Sequence, residues 1–315
     1  MVKYLVKLPY LALLIILLFS LSACEFTSKP RFEGEVYTVA GLLVAGKSIS
    51  TENPIFVTRS ISLEDFDPFE LFVEDAEVTV IDLQTNERWE LEEALDPSRG
   101  FIYVDPQNRI IQPLQSYRLE VRIDGKPELI WAETTVPQAV TPVMDFYQNN
   151  PPGTGWSLDP ETTNTVQYSI LDQQYPIVLG TGAQAGDFNF MAEIYCREPF
   201  STDLEWTTPI FGITNLDESL EPIYNSNGQS FRRINVMGIY TSKSQPGMDG
   251  NYLVLPDYAA SVAFYGRYRV SAYIIDDNYY EYSYRPEGYF YGGINNALGY
   301  FGSASGADFY ARVVK

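Results

Sequence analysis

Forty-one aspartate and glutamate side chains, two cysteines and no histidine define the chemistry open to this chain of 315 residues. Without histidine there is no Ser-His-Asp triad, no Cys-His pair, no His-Glu zinc protease motif and no His-ligated metal centre. Carboxylates, tyrosine, lysine and serine remain. A carboxylate-based hydrolase needs two facing acids across its substrate, and in a chain so rich in acids the spacing along the sequence singles out no pair. Asp65-Phe66-Asp67, Asp249-Gly250-Asn251 and Asp276-Asp277-Asn278 could each offer oxygen ligands to calcium, which takes about six to eight of them. None follows the EF-hand spacing, and Asp, Asn and Gly clusters also make ordinary turns. Gly180-Thr181-Gly182-Ala183-Gln184-Ala185-Gly186 lacks both the dinucleotide-binding spacing and a following Gly-Lys-Ser/Thr, so it reads as a connector. No catalytic residue, metal ligand or cofactor is assigned, and an enzyme is not expected.

The cysteines lead further. Leu21-Ser22-Ala23-Cys24 closes a segment that starts with Lys3 and Lys7 and continues as a nearly unbroken apolar run from Leu8 to Leu21. A basic start, a short apolar core and small residues at its end make a secretory signal, and the run is short for a membrane-spanning helix. The last four residues resemble the lipobox of bacterial lipoproteins. That resemblance implies cleavage after Ala23 and a mature chain that begins at Cys24, with lipid on its sulfur and an acyl group on its amine. A single acyl chain holds a protein only marginally, at roughly 0.8 kcal/mol per buried methylene, whereas two or three hold it stably. The membrane is then a partner through the anchor alone. The other reading is an ordinary signal peptide ahead of a structural cysteine. With Cys24 lipidated, Cys196 has no partner for an intrachain disulfide, and its place at the end of Phe188–Cys196 suits a buried thiol in a strand.

Charge narrows the partners. Removal of residues 1–23 takes away Lys3 and Lys7 and no acid, moving the formal charge from −20 to −22. Such a chain repels phosphate backbones, so nucleic acid is not expected as a partner.

The elements that would carry any site read as all-β. Residues 24–34 are a short polar tether. Residues 35–137 hold about seven short strands, the clearest at Ser116 to Ile123, where Tyr117, Leu119, Val121 and Ile123 share one face and Arg118, Glu120 and Arg122 the other. Thr85-Asn86 and Asp124-Gly125 are turn signals. That density of strands predicts an immunoglobulin-like β-sandwich. Pro137, Pro142, Pro151 and Pro152 mark a boundary, and residues 138–315 read as a second β-rich, tyrosine-rich domain with long loops, such as Glu198 to Ser230. Its strand candidates are Val143–Tyr147, Thr165–Leu171, Phe188–Cys196, Arg232–Tyr240 and Ala260–Ile275. Single helical turns are expected at Asn278–Tyr284 and Leu216–Leu220.

Two carboxyl-terminal stretches, Asp276-Asp277-Asn278-Tyr279-Tyr280-Glu281-Tyr282 and Gly292-Gly293-Ile294-Asn295-Asn296-Ala297-Leu298-Gly299-Tyr300-Phe301-Gly302, resemble the closing motif of the domain-of-unknown-function family 4249 of Bacteroidota-type outer-membrane lipoproteins. Val39 to Leu43, Ala76 to Val80 and Thr135-Val136-Pro137 fit its earlier pattern. After the tyrosines this chain runs through Arg285-Pro286-Glu287-Gly288 in place of a longer helical stretch. The resemblance implies an outer-membrane lipoprotein associated with a TonB-dependent receptor system, and it brings no catalytic residues with it.

Aromatic residues are the remaining binding signal. Tyr279, Tyr280, Tyr282, Tyr284, Tyr289, Phe290 and Tyr291 crowd one window, and Trp156 and Trp206 stand in earlier loops. Exposed rings stack on sugars or anchor a protein partner, while rings in strands pack a core. Trp156, Trp206, Tyr279, Tyr280 and Tyr282 are the candidate contacts. The expected function is a lipid-anchored envelope binding or accessory protein whose partner is a TonB-dependent receptor or another envelope protein. The alternatives are a surface glycan-binding or adhesion module and, second, a carboxylate-based hydrolase.

Overall fold

The computed structural model describes residues 35–61, 68–97, 99–144, 146, 150–199, 204–207, 221–224, 230–255, 258–284 and 291–315. The signal segment, Ala23, Cys24, the tether, Asp65-Phe66-Asp67 and the turn expected at Leu216–Leu220 lie outside the described residues.

The protein is all-β, as its alternating segments predict. In chain order the strands are β1 (Tyr37–Val44), β2 (Phe56–Arg59), β3 (Glu77–Asp82), β4 (Arg88–Glu90), β5 (Glu92–Asp96), β6 (Gly100–Val104), β7 (Ser116–Arg122), β8 (Ile130–Thr135) and β9 (Thr141–Pro142). They continue as β10 (Thr165–Gln167), β11 (Ile177–Gly182), β12 (Gly186–Cys196), β13 (Glu221–Tyr224), β14 (Ser230–Ser244), β15 (Asn251–Leu255), β16 (Gly266–Ile275), β17 (Tyr291–Gly292) and β18 (Leu298–Val314). One large sheet runs β2-β1-β18-β16-β12-β14-β15-β11-β9, with β10 and β17 added on β18 and β13 on β14. A four-stranded sheet runs β4-β3-β7-β8, and β5 pairs with β6.

Two cores follow from that topology. Strand β7 turns Tyr117, Leu119 and Val121 inward, and they meet Val78 and Val80 of β3 and Ile130 and Ala132 of β8. This face packs on Val39 and Leu43 of β1, Val57 of β2 and Phe301 of β18, which makes a sandwich of the four-stranded sheet and one end of the large one. The hairpin of β7 and β8 turns through Gly125, and β3 and β4 turn through Asn86, whose φ is +58°.

The second core lies farther along the large sheet. Leu179 of β11 and Leu253 and Leu255 of β15 gather with Phe190 and Ile194 of β12, Val270 and Ile274 of β16 and Phe309 of β18. The glycine run after Thr181 joins β11 to β12, which have different neighbours, so it is the connector expected from its sequence.

Strand β18 belongs to both cores. Its first half pairs in parallel with β1 from Thr38↔Leu298 to Val44↔Ala304. Its second half pairs antiparallel with β16 from Ile275↔Ala304 to Gly266↔Val313. Backbone hydrogen bonding thus crosses the boundary drawn at residues 137 and 138. The described residues from Val36 onward, apart from Ile61, fall in one compact unit.

Candidate functional site

The tyrosine-rich window begins as a helix, Asp277–Tyr284, two turns long where the sequence suggests one. Its start is fixed by side chains. Asp276 Oδ1 accepts from the Tyr279 N–H at 3.0 Å, the bond of an N-cap, and Asp276 Oδ2 accepts from Thr134 Oγ1 of β8 at 2.6 Å. Thr134 Oγ1 lies 2.7 Å from Ser303 Oγ of β18, and the Asp276 N–H donates to Ser303 O at 2.9 Å. Asn278 Nδ2 donates to Glu133 O of β8 at 2.8 Å and to Phe301 O of β18 at 2.9 Å. Asp277 Oδ1 accepts from Asn189 Nδ2 of β12 at 2.7 Å. Asp276-Asp277-Asn278 is therefore a fastening that ties the helix to three strands.

A cleft of ≈ 450 Å³ opens beside this fastening, lined by Ser116, Glu133, Thr134, Asp276, Asp277 and Asn278 among others. Burial pushes the Asp276 carboxyl up to about 6, against the lowering effect of its hydrogen bonds from Thr134, Tyr279 and Ser303, and Asp277 adds to the rise. A cleft with a raised carboxyl is the first requirement of a carboxylate hydrolase. Here both Asp276 oxygens accept structural hydrogen bonds, so neither is aimed at a substrate.

The rings sort by depth. Tyr279 and Tyr282 both lean on Tyr300 of β18, each with ring centroids 4.9 Å apart, and are half-buried. Tyr280 stacks on Tyr284 at 5.0 Å and 24°. Tyr284 is 56% exposed and Tyr291, beyond the helix, 52%. Among the described residues these two are the outermost rings of the patch, and the five expected contact residues omit them; Tyr289 and Phe290 lie outside the described residues. Helical spacing would have paired Tyr280 with Tyr284.

The two tryptophans differ. Trp206 is 41% exposed and rests on Phe264 with centroids 4.3 Å apart. Trp156, expected as a surface ring, is only 6% exposed. Its Nε1 donates to Tyr258 Oη at 2.8 Å and to Tyr175 O at 3.0 Å, while the Tyr258 hydroxyl also donates to Tyr175 O. That correction has a physical reason: the indole N–H finds its acceptors inside the second core, so the whole ring can be withdrawn from water. Cys196 is buried and free, and burial pushes its thiol up, as suits an inert core residue.

The fold and site define an all-β protein that fastens a short tyrosine-bearing helix by side-chain hydrogen bonds to strands of a sheet shared by two cores. The chain belongs to the family described as Domain of unknown function (DUF4249), which it matches over residues 25–308. No curated protein matches it.

Proposed function

We propose that this chain is a lipid-anchored binding protein of the cell envelope, tethered to the outer membrane through Cys24 after cleavage at Ala23. It serves as an accessory to a TonB-dependent uptake or assembly system, whose receptor or another envelope protein it contacts. The observation that carries this reading is the outer end of the tyrosine patch. Tyr284 brings a large exposed ring onto a helix whose start is fixed by Asp276 and Asn278, and Tyr291 brings another on β17, which pairs with β18. Rigid aromatic anchors offer contact area at little entropic cost, which favours recognition over chemistry.

The test is an affinity pull-down of the full chain from its native outer membrane, beside Tyr284→Ser/Tyr291→Ser. Both substitutions are at exposed positions, so folding should be unaffected. Recovery of one envelope protein in about equal amount, lost with the double variant, is the expected result. Recovery of the chain alone would contradict it.

A glycan-binding reading has one specific observation in its favour, the Trp206 ring lying exposed on Phe264. It requires that glycans on an array bind the wild type and not Trp206→Ala.

A further inference from the structure

Two hydroxyl side chains occupy inward positions that apolar residues otherwise fill. Thr134 follows Ile130 and Ala132 on the buried face of β8, and Ser303 lies in the buried stretch of β18; they are 4% and 0% exposed. They connect the carboxyl of Asp276 to the backbone of β8 through a line of short contacts. Asp276 Oδ2 lies 2.6 Å from Thr134 Oγ1, Thr134 Oγ1 lies 2.7 Å from Ser303 Oγ, and Ser303 Oγ lies 3.0 Å from Thr135 O.

The hydrogens along this line can be counted. A hydroxyl carries one hydrogen, and an ionised carboxylate or a carbonyl carries none. With Asp276 ionised, Thr134 donates to Oδ2 and two hydrogens serve three contacts. One of the two contacts of Ser303 then sets lone pair against lone pair in a buried place. With Asp276 protonated at Oδ2 the count closes. Oδ2–H donates to Thr134 Oγ1, Thr134 to Ser303 Oγ, and Ser303 to Thr135 O, while Oδ1 still accepts from the Tyr279 N–H.

The surroundings act in the same direction. The charged groups beside Asp276 around the cleft are acids, Asp277 on its own element and Glu133 of β8. From β18 it meets Ser303 and Gly302, where a Cβ would come within 2.8 Å of Oδ1, and β12 contributes Asn189, which is bonded to Asp277. Among the described residues no lysine or arginine lines the cleft. Burial independently raises the carboxyl to about 6. An ionised Asp276 would be the better partner for the helix dipole, so the proton is favoured by the hold on β8 and β18 and not by the helix itself. Asp276 lines the open cleft, which gives that proton a path to water.

We propose that Asp276 is a neutral carboxylic acid in the fastened state, its proton completing a relay through Thr134 and Ser303 to the Thr135 carbonyl, so that a proton-loaded latch holds the tyrosine-bearing helix to β8 and β18 and loosens as pH rises. As control over how the tyrosines are presented to a partner, this rests on the binding reading above; the latch itself does not.

The test is hydrogen–deuterium exchange of the full chain, corrected for intrinsic exchange rates and read by mass spectrometry on peptides covering residues 276–284. Between about pH 4.5 and about pH 7.5, opening of this segment in the wild type should rise at least about tenfold, as linkage to one proton allows. Exchange across β11 and β15 should stay unchanged. In Asp276→Asn the carboxamide supplies the third hydrogen at every pH, so its segment should stay as closed as that of the wild type at the acid end. Ser303→Ala leaves one contact and one hydrogen with Asp276 still buried, so most of the pH dependence should disappear; a carboxyl raised by burial alone would keep it. The proposal is overturned by wild-type exchange that does not change with pH, a result that needs no variant. It is also overturned by an Asp276→Asn segment more open than the wild type at the alkaline end, or by an undiminished pH dependence in Ser303→Ala. No partner takes part in the measurement, so its failure leaves the binding reading standing, and a failed pull-down leaves the latch standing.

Discussion

The Asn278 carboxamide donates to carbonyls of β8 and β18 at once, so one side chain clamps the four-stranded sheet to the large one. Asn278→Ala leaves two carbonyl groups short of a donor and is expected to cost about 1–3 kcal/mol, read as a lowered urea midpoint. Asn278→Asp should cost more, because a carboxylate would face the same two oxygens. Asp276 adds a pH dependence of definite sign. Its folded pKa is raised from 3.8 to about 6, so between those values the folded chain binds the proton that the unfolded chain releases. This group's contribution to stability therefore falls as pH rises through that window. Glu198 acts oppositely: hydrogen bonds from Arg267 hold its carboxyl low, and its contribution is lost as pH falls through the acid range. Urea midpoints of the wild type measured from pH 4 to pH 7 should decline toward pH 7 relative to those of Asp276→Asn, and a constant difference would refute the assignment. The triplet Asp276-Asp277-Asn278 is conspicuous in the sequence, but its role is not. Beyond its own helix, the residues it binds are Glu133, Thr134, Asn189, Phe301 and Ser303, all on strands separated from it along the chain.

Among the elements, legibility follows exposure. Strand β7 has one wet face and one dry one, so its alternation announces it, and the turns at Asn86 and Gly125 announce its neighbours' hairpins. Strand β18 is the longest and gives no such signal. It lies between β1 and β16 with both faces covered over its central residues, so alternation is lost. Its glycines answer to neighbours that sequence does not display. Gly299 has a φ of +104°, and a Cβ there would fall inside contact distance of Val39 O; at Gly306 a Cβ would crowd Ala272 O. Gly299→Ala is expected to destabilise by more than about 3 kcal/mol, since backbone strain and a clash with a fixed carbonyl combine. Gly46→Ala, at φ +77° but in open space, should cost only about 1 kcal/mol, from the backbone strain alone. Thermal melts of the two variants side by side check the contrast. The strand expected at Val143–Tyr147 is likewise displaced, with β9 ending at Pro142. Met144 of that stretch instead packs against the second core.

At the scale of the whole molecule, β18 makes the two cores interdependent. Residues 35–137 alone would lack β18, and with it Phe301, a fully buried member of the first core. That fragment is expected to show no cooperative urea transition, whereas residues 35–315 should unfold in one. The all-β class is readable from strand density, and the sharing of one sheet is not, because it depends on a pairing between the first strand and the last. The proposed envelope binding role requires that the tether hold the chain at the membrane, and that claim turns on Cys24. The most direct measurement is the intact mass of the chain purified from its native membrane fraction, with Cys24→Ala alongside. The expected result is a mature chain that begins at Cys24 and carries diacylglyceryl and acyl groups, with the variant unlipidated and released from the membrane. A wild-type chain that is unlipidated, or that retains residues 1–23, would contradict the lipid-anchored reading.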